Sequence, residues 1–468
     1  MFINRKPKLA LLGLMLDAYE SIFPGINDRQ IRYVNEIIET LEPVADVTFS
    51  ELGGNRESIE RVVKGYNEAD FDGMLIILLT YSNSTYLMRA LQNNRLPLAL
   101  CLVQPDQEIG TDWDELRLTV NQGIHGTQDN ASMMLRCGFK CEYFVGNRTK
   151  PEFVKFVEDF GRACLADKRL KGMRTGVLSR MRGMGDTYGD ELKFTEVIGP
   201  EYIYDTAGSL YSRMQAINKS QVDAQIERDT EIHVLDPKMT REQHEEAVRM
   251  YLGIKQWLED NNLDAYTAQF DQFGDDGRFK QLPLYAASNL MADGYGYAAE
   301  GDQMCASMMA AAHLIAGGEN IANFSEMYTM DFAKQYIIFC HQGEGNWACR
   351  KQGSKARLID RYLGEGGLSN PPTFIFNPET GITTLVSLVD LGGGKYRLVC
   401  SLGEVIDKLD MVNCEMPYFF WRPNNGVEQT IENWLRNGGT HHEIVCHGDV
   451  RRRWEMWCNI SNVEYVEV

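Results

Sequence analysis

Between Lys8 and Ala166, short apolar runs alternate with longer stretches whose apolar residues recur at helical spacing. The runs are Leu9–Met15, Ala45–Phe49, Gly73–Leu79 and Leu96–Val103, and Asp28–Leu41 and Glu57–Tyr66 are helical stretches between them. A strand that is apolar on both faces needs cover on both faces, and helices connecting consecutive strands supply it. The pattern predicts a doubly wound α/β domain of the flavodoxin or Rossmann type, with ligands at the carboxyl ends of its strands. Those ends carry Leu16-Asp17-Ala18-Tyr19-Glu20, Thr80-Tyr81-Ser82-Asn83 and, further on, Asn121-Gln122-Gly123-Ile124-His125-Gly126. Such polar and aromatic groups suit a polyol, whose hydroxyls need both donors and acceptors, and they equally suit ordinary loops.

A second α/β segment follows the charged connector Ala166-Asp167-Lys168-Arg169, with a strand at Thr175–Leu178 and a polar helix around Ser220–Asp229. A long helix is predicted from Arg241 to Asn261. Thr240 and Gln243 have capping-box spacing, and Ala247, Met250, Tyr251, Ile254 and Leu258 follow a helical period. The strand-like AYTAQF then leads through Asp271, Gln272 and Phe273 to a helix and the string GYGYAAEGD. After about residue 320 the chain becomes β-rich, with turns at Asn377-Pro378, Thr380-Gly381 and Gly392-Gly393. It closes with the helical GVEQTIENWLRNGG and then THHEIVCHGD. At 468 residues the chain exceeds what one core supports. We expect an α/β protein of three domains: a doubly wound domain at 1–168, a second at 169–320 and a β-rich, barrel-like domain at 321–468.

A net charge of −19 opposes a nucleic-acid or anionic-membrane partner and favours a small neutral or metal-bound substrate. No apolar run approaches the length that spans a bilayer. The amino terminus places RKPK before LALLGLML, but Asp17 and Glu20 follow at once, which fits a buried first strand better than an export signal. Eleven cysteines lack any CxxC pair, and Cys101 and Cys340 sit in apolar runs, a pattern of buried free thiols expected in the cytoplasm. Neither LGLML nor Gly392-Gly393-Gly394 matches a dinucleotide fingerprint or a phosphate loop, so no nucleotide cofactor is expected.

Candidate chemistry concentrates between Gly294 and Gly345. Glu300 and Glu326 are isolated acids in small or apolar surroundings, and His341 ends the apolar run YIIFC. An ionised carboxylate in such a setting is costly unless paired or bound to a cation, and carboxylates with imidazole form a common divalent-metal set. Taken singly, Glu300 is also readable as a helix cap, Glu326 as a turn residue and His341 as a core histidine. Their spacing fits no short metal motif. In a strand, His441 and His442 would point to opposite faces, so one of them at most would reach a shared ion. His233, His244 and His313 read as structural or exposed, the loop Arg180–Asp186 as a solvated turn, and Arg451–Arg453 as a solvated cluster.

Six ordered segments carry a resemblance: NQGIHGTQDNA, RMRGMGDTYGD, KQLPLYAASNLMADGYGYAAEGD, NFSEMYT, FCHQGEG and NGGTHHE. They resemble the corresponding segments of the L-arabinose isomerase family, whose relatives include the L-fucose isomerases. The resemblance implies an aldose–ketose isomerase in which two glutamates and two histidines bind a divalent metal, usually Mn2+. Position by position, those ligands are Glu300, Glu326, His341 and His442, with His441 as the alternative to its neighbour. It further implies that Glu300 and Glu326 serve as acid and base around an enediol. His125, from a neighbouring subunit of a homo-oligomer, typically a hexamer, would reach the sugar, Met181 would line its pocket and Phe270 would lie nearby. Leu16 and Asp17 stand where the family carries a Gln-His pair and mark an altered sugar-recognition loop, and Tyr81, at the end of the third strand, is a further candidate to contact the sugar. The substrate class is therefore a pentose or hexose rather than L-arabinose specifically. A metal-dependent lyase or aldolase on a related sugar and a non-catalytic sugar-binding protein are the competing classes.

Overall fold

The first apolar run forms β1 (Lys8–Leu14), and β2 (Asp46–Phe49), β3 (Gly73–Leu78), β4 (Leu98–Leu102) and β5 (Glu142–Val145) follow it. In the computed structural model, which describes residues 5–180, 183–317, 322–363 and 368–468, these five strands lie in one parallel sheet of order β2-β1-β3-β4-β5. The sheet belongs to the first of two compact units, residues 5–168; the second comprises residues 169–468. Alternate residues of the strands, among them Leu12, Ile76 and Leu100, pack with Ile59, Leu87 and Met134 from the covering helices Arg56–Glu68, Ser84–Leu91 and Gly123–Cys137. This order is doubly wound, and it reverses between β1 and β3, where such sheets open a crevice at their carboxyl ends. Leu16-Asp17 and Thr80-Tyr81 stand at that reversal.

The second unit begins with β6 (Arg174–Leu178), β7 (Glu201–Tyr204), the short β8 (Val234–Leu235), β9 (Ala265–Ala268) and β10 (Gly296–Ala299). Four of these form a parallel sheet of order β10-β9-β6-β7. The helix Arg241–Asp260 carries the expected capping box at Thr240 and Gln243 and buries Ala247, Met250, Tyr251, Ile254 and Leu258. Small residues let a second helix, Gln303–Ala316, lie close on β10. A Cβ at Gly296 would fall 2.2 Å from the Ala306 carbonyl oxygen and 2.7 Å from the Ala310 Cβ.

The remaining strands are β11 (Ala322–Asp331), β12 (Tyr336–Cys340), β13 (Arg357–Asp360), β14 (Pro372–Ile375), β15 (Gly381–Asp390), β16 (Tyr396–Ile406), β17 (Phe419–Pro423), β18 (Glu443–His447) and β19 (Glu464–Glu467). Six of them close a barrel in the order β15-β18-β11-β12-β17-β16, sealed by β15 against β16, with β19 added in parallel on β16. Closure pairs the edges that an open sheet would leave unsatisfied. Its core includes Ile337, Phe339, Leu385, Val399, Trp421 and Val445. Trp421 donates its indole N–H to Thr383 Oγ1 at 2.8 Å, so a large apolar ring is buried without an orphaned donor. β13 joins β14 and β8 in a small separate sheet. Among the described residues, no helix is long and apolar enough to cross a membrane.

Candidate metal centre

Adjacent barrel strands bring three side chains to one rim. Glu326 lies on β11 opposite Cys340 of β12, and His341 is the next residue after Cys340. On the other side of β11, Ser325 pairs with Glu443, so His442, one residue before β18, comes alongside Glu326. The register of β11 slips between Met327 and Thr329, a bulge that bends the strand just beyond the carboxylate. Glu300 arrives from the other layer, at the carboxyl end of β10. Its backbone is left-handed, with φ of 63°, and its N–H is held by the Ala268 carbonyl at 2.9 Å. A non-glycine residue in that region costs on the order of 1–3 kcal/mol and is retained where its surroundings fix it.

The four segments converge. His442 Nε2 is 3.4 Å from both Glu300 Oε2 and Glu326 Oε1, and His341 Nε2 is 3.2 Å from Glu326 Oε1 and 3.9 Å from Glu300 Oε1. His441 Nε2 stands 3.6 Å from Glu300 Oε2 and 3.8 Å from Glu326 Oε1. Glu300, Glu326, His441 and His442 each offer one ligand atom, and these atoms lie within 4.8 Å of one another. His341, expected as a ligand, falls outside that set of four, although its Nε2 contacts the same two carboxylates. Glu300 Oε2, His442 Nε2 and His341 Nδ1 are buried and form no well-aligned hydrogen bond, although an oppositely charged group lies within 3.4 Å of each.

Each histidine is backed by a further carboxylate at Nδ1: Asp302 on His442 at 2.9 Å, Glu344 on His341 at 3.0 Å and Asp186 on His441 at 2.7 Å. Glu344 is itself buried and accepts from Tyr297 Oη at 2.8 Å and from the Gly343 N–H at 3.0 Å. A carboxylate behind an imidazole fixes its orientation and raises its basicity, the usual arrangement behind metal-binding histidines. Phe324 packs edge-on against His341 and His442, with ring centroids at 5.2 and 5.1 Å, and Phe270 lies 5.9 Å from His341.

The electrostatics follow from this crowding. Burial raises the Glu300 and Glu326 carboxyls, but facing histidines overcome it: His441 and His442 hold Glu300 far below its usual range, and His341 and His442 hold Glu326 at about 2. Burial opposes charge on His341, yet Glu344 and Glu326 push it up to about 10. His442 is likewise pushed well up, by Asp302, Glu300 and Glu326 against burial. Glu443, fully buried beside this group, is driven the other way by burial and by the charge of Glu326.

Several expectations need correction. His441 and His442 precede β18 rather than lie in it, so strand alternation does not separate them, and their rings sit 4.2 Å apart facing the same carboxylates. The loop Arg180–Asp186 is more than a solvated turn, because Asp186 Oδ2 accepts from both the backbone N–H and Nδ1 of His441. Arg453 is buried rather than solvated and donates to the carbonyls of Ile315 and Ala316, at the end of the helix on β10. His244 is structural, bonded through Nε2 to the buried Asp229 at 2.7 Å. The NQGIHG segment is not a loop: His125 occupies the first turn of the helix Gly123–Cys137, exposed and stacked on Tyr81 at 5.2 Å. In the same unit, Leu16 N–H reaches Thr80 Oγ1 at 3.3 Å, and Asp17 accepts from the Asn55 side chain. Met181 lies outside the described residues. Asp302, Glu344, Asp186 and Phe324 were not singled out from the sequence, although all but Asp186 fall within the stretch from Gly294 to Gly345.

Comparison with known proteins gives two adjoining family matches: the L-arabinose isomerase central domain over residues 173–318 and the L-arabinose isomerase C-terminal domain over residues 321–464. L-arabinose isomerase 1 of Bacillus licheniformis is 26% identical over 97% of this chain and 94% of its own length. L-arabinose isomerase of Clostridium beijerinckii is 25% identical, covering 90% of this chain and 86% of itself. That of Geobacillus thermodenitrificans is 26% identical, covering 96% and 91%. With both domain matches in chain order and relatives aligned along nearly the whole sequence, the chain belongs to the L-arabinose isomerase family of aldose–ketose isomerases.

Proposed function

We propose that this protein interconverts an aldose and its ketose with the help of a divalent ion, Mn2+, held by Glu300, Glu326, His442 and His341, with His441 close behind. The observation that supports this most is the convergence of carboxylates and imidazoles on one point, with Glu300 Oε2 and His442 Nε2 facing each other across 3.4 Å without a well-formed hydrogen bond. Two carboxylate oxygens and imidazole nitrogens are a donor set suited to such an ion. When bound, it supplies positive charge to the two neighbouring substrate oxygens on which the enediol's charge develops.

The protein's own groups then move the protons. Glu326 and Glu300 are both ionised at neutral pH and can act as bases without first losing a proton. Glu326 is the more exposed side chain, 18% against 9%, and we assign it the proton that leaves one carbon and returns to its neighbour. Glu300, anchored in its strained turn, serves the proton shared between the two hydroxyl oxygens. Phe324 and Phe270 exclude water from one wall, and the paired carboxylates keep the imidazoles oriented.

The substrate is a pentose or hexose aldose. Leu16-Asp17, in place of the family's Gln-His pair, redirects its choice, since hydrogen-bonding sites discriminate strongly between epimers. We further infer a cytoplasmic homo-oligomer, a hexamer in the family pattern, in which a neighbour's His125 and Tyr81 complete the sugar pocket, and a chain of three domains at 1–168, 169–320 and 321–468. The exposed His125–Tyr81 stack and eleven free cysteines support this reading. Incubating the Mn2+-loaded protein with L-arabinose, D-galactose, L-fucose and D-arabinose tests it by NMR. One sugar should yield its ketose, and a chelator should abolish the conversion; a metal-loaded protein that converts none of them would overturn the reading.

A further inference from the structure

In the first unit, the string NQGIHGTQDNA sets a helix against the end of β3, and two glycines make the fit possible. A Cβ at Gly123 would fall 2.5 Å from the Leu78 carbonyl oxygen, and one at Gly126 would fall 3.2 Å from the Thr80 carbonyl oxygen and the Tyr81 Cα. On the helix Gly123–Cys137, His125 and Asp129 are four residues apart and so share a face. The half-buried Asp129 carboxylate reaches across to the loop after β3. Its Oδ1 accepts the Ser84 hydroxyl at 2.9 Å, and its Oδ2 accepts the Ser84 N–H at 3.2 Å, with Tyr81 Oη 3.4 Å away. Ser84 opens the helix Ser84–Leu91, whose N-cap Asn83 makes no side-chain capping bond, so a residue of another helix does the capping. Asn130, the next residue, donates to the Ser82 carbonyl at 3.2 Å. Tyr81 is thereby held against the exposed His125, with ring centroids 5.2 Å apart and ring planes 20° apart.

We propose that Asp129 is a positioning residue for the sugar: by tying the loop Tyr81–Ser84 to the helix of His125, it fixes the Tyr81 ring on the imidazole and sets how His125 is offered to a hydroxyl. This rests on the reading that His125 and Tyr81 complete the sugar pocket. An exposed imidazole turns about two torsions, and immobilising it on binding costs affinity. A tyrosine ring on one face removes that freedom before the sugar arrives, provided that the tyrosine is itself anchored. An asparagine at 129 would keep the grip, since its oxygen can accept from the Ser84 N–H and Tyr81 while its NH2 donates to Ser84 Oγ. An alanine would leave Ser84 uncapped and Tyr81 unanchored. The two-pronged hold on the loop is therefore what matters, rather than the charge.

Asp129→Ala, Asp129→Asn, Tyr81→Ala and the double variant Asp129→Ala/Tyr81→Ala are compared as Mn2+-loaded full chains, with thermal unfolding followed for each. On a sugar that the parent converts, Asp129→Ala should raise KM roughly 2–10-fold, the usual effect of having to immobilise a side chain on binding, while kcat and Mn2+ affinity stay near the parent's. Asp129→Asn should restore KM. In the Tyr81→Ala background, Asp129→Ala should change KM no further, because its effect passes through that ring. Independently of any sugar, the rate at which diethyl pyrocarbonate acylates His125, followed by peptide mass spectrometry, should rise in Asp129→Ala and Tyr81→Ala alike and return in Asp129→Asn. Ser84→Ala, which removes the shortest of the contacts and keeps the carboxylate, should move both readouts in the direction of Asp129→Ala, and it serves as the test if that variant does not fold. A folded variant with the parent's KM or the parent's His125 rate overturns the proposal, as do effects of Asp129→Ala and Tyr81→Ala that multiply. If the parent converts no sugar but His125 reactivity still follows Asp129, the sugar reading fails and the anchoring role stands.

Discussion

Glu300 and Glu326 reach the same place by different routes, one on a left-handed turn after a parallel strand, the other in a barrel strand beside a bulge. The second route makes Glu326 the cleaner test of chemistry, because its backbone is ordinary ladder and a substitution leaves the turn at Glu300 untouched. Glu326→Gln keeps the volume and removes the base. Turnover should fall roughly 10²–10⁴-fold, and the metal-free fold should lose the stability that the ionised carboxylate lends it; a folded, Mn2+-loaded variant of near-normal rate would remove Glu326 from the proton path. At this scale the sequence was informative where acids stood alone among apolar or small neighbours, as Glu300 and Glu326 do. It was silent on the backing carboxylates. Asp302 and His442 are 140 positions apart, and Asp186 and His441 are 255 apart, so nothing local distinguishes them from a helix cap and a loop acid.

Elements explain how such distant residues come to lie side by side. The helix Gln303–Ala316 presses on β10 at Gly296, and the same β10 ends in Glu300 while the same helix begins at Asp302. Gly296→Ala would force its methyl into the Ala306 carbonyl, a rigid backbone atom that cannot swing aside. The expected cost is about 1–3 kcal/mol from overpacking, read by chemical denaturation, and Mn2+ affinity should fall with it because both donor-bearing ends shift. Full affinity in a destabilised Gly296→Ala protein would show that the helix contact does not set the site. The elements themselves were largely legible. Continuous apolar strands such as Leu9–Met15 and Gly73–Leu79 announce burial on both faces, and the Thr240–Gln243 box marks a helix start to the residue. The misreadings came where a local cue was ambiguous: NQGIHG has the glycines of a loop yet begins a helix, and THHE looks like strand one or two residues before the ladder starts. Arg453 was lost for a similar reason, since three adjacent arginines look solvated until a helix end needs one of them.

Over the whole molecule, these placements predict how stability and metal binding trade with pH. Without a cation, His341 has its proton affinity raised from 6.5 to about 10, so its contribution to folding is complete below 6.5 and is lost as pH rises through about 10. Glu326, held at about 2 instead of 4.5, contributes above 4.5 and loses that contribution as pH falls through about 2. The site therefore supports the metal-free fold best between these limits and weakens it on the alkaline side. A bound cation reverses the alkaline trend, because it takes the place of the imidazole proton: apparent affinity should rise about tenfold per pH unit for each proton displaced until the histidines are neutral. At a free concentration of about 100 times its Kd, the ion adds about 2.7 kcal/mol to the unfolding free energy. Denaturant unfolding with Mn2+ and with a chelator, repeated from neutral to mildly alkaline pH, should thus give two curves that diverge as pH rises. Parallel curves would mean that no imidazole proton is released on binding, and that the histidines around Glu300 and Glu326 are structural partners of the carboxylates rather than ligands of the ion.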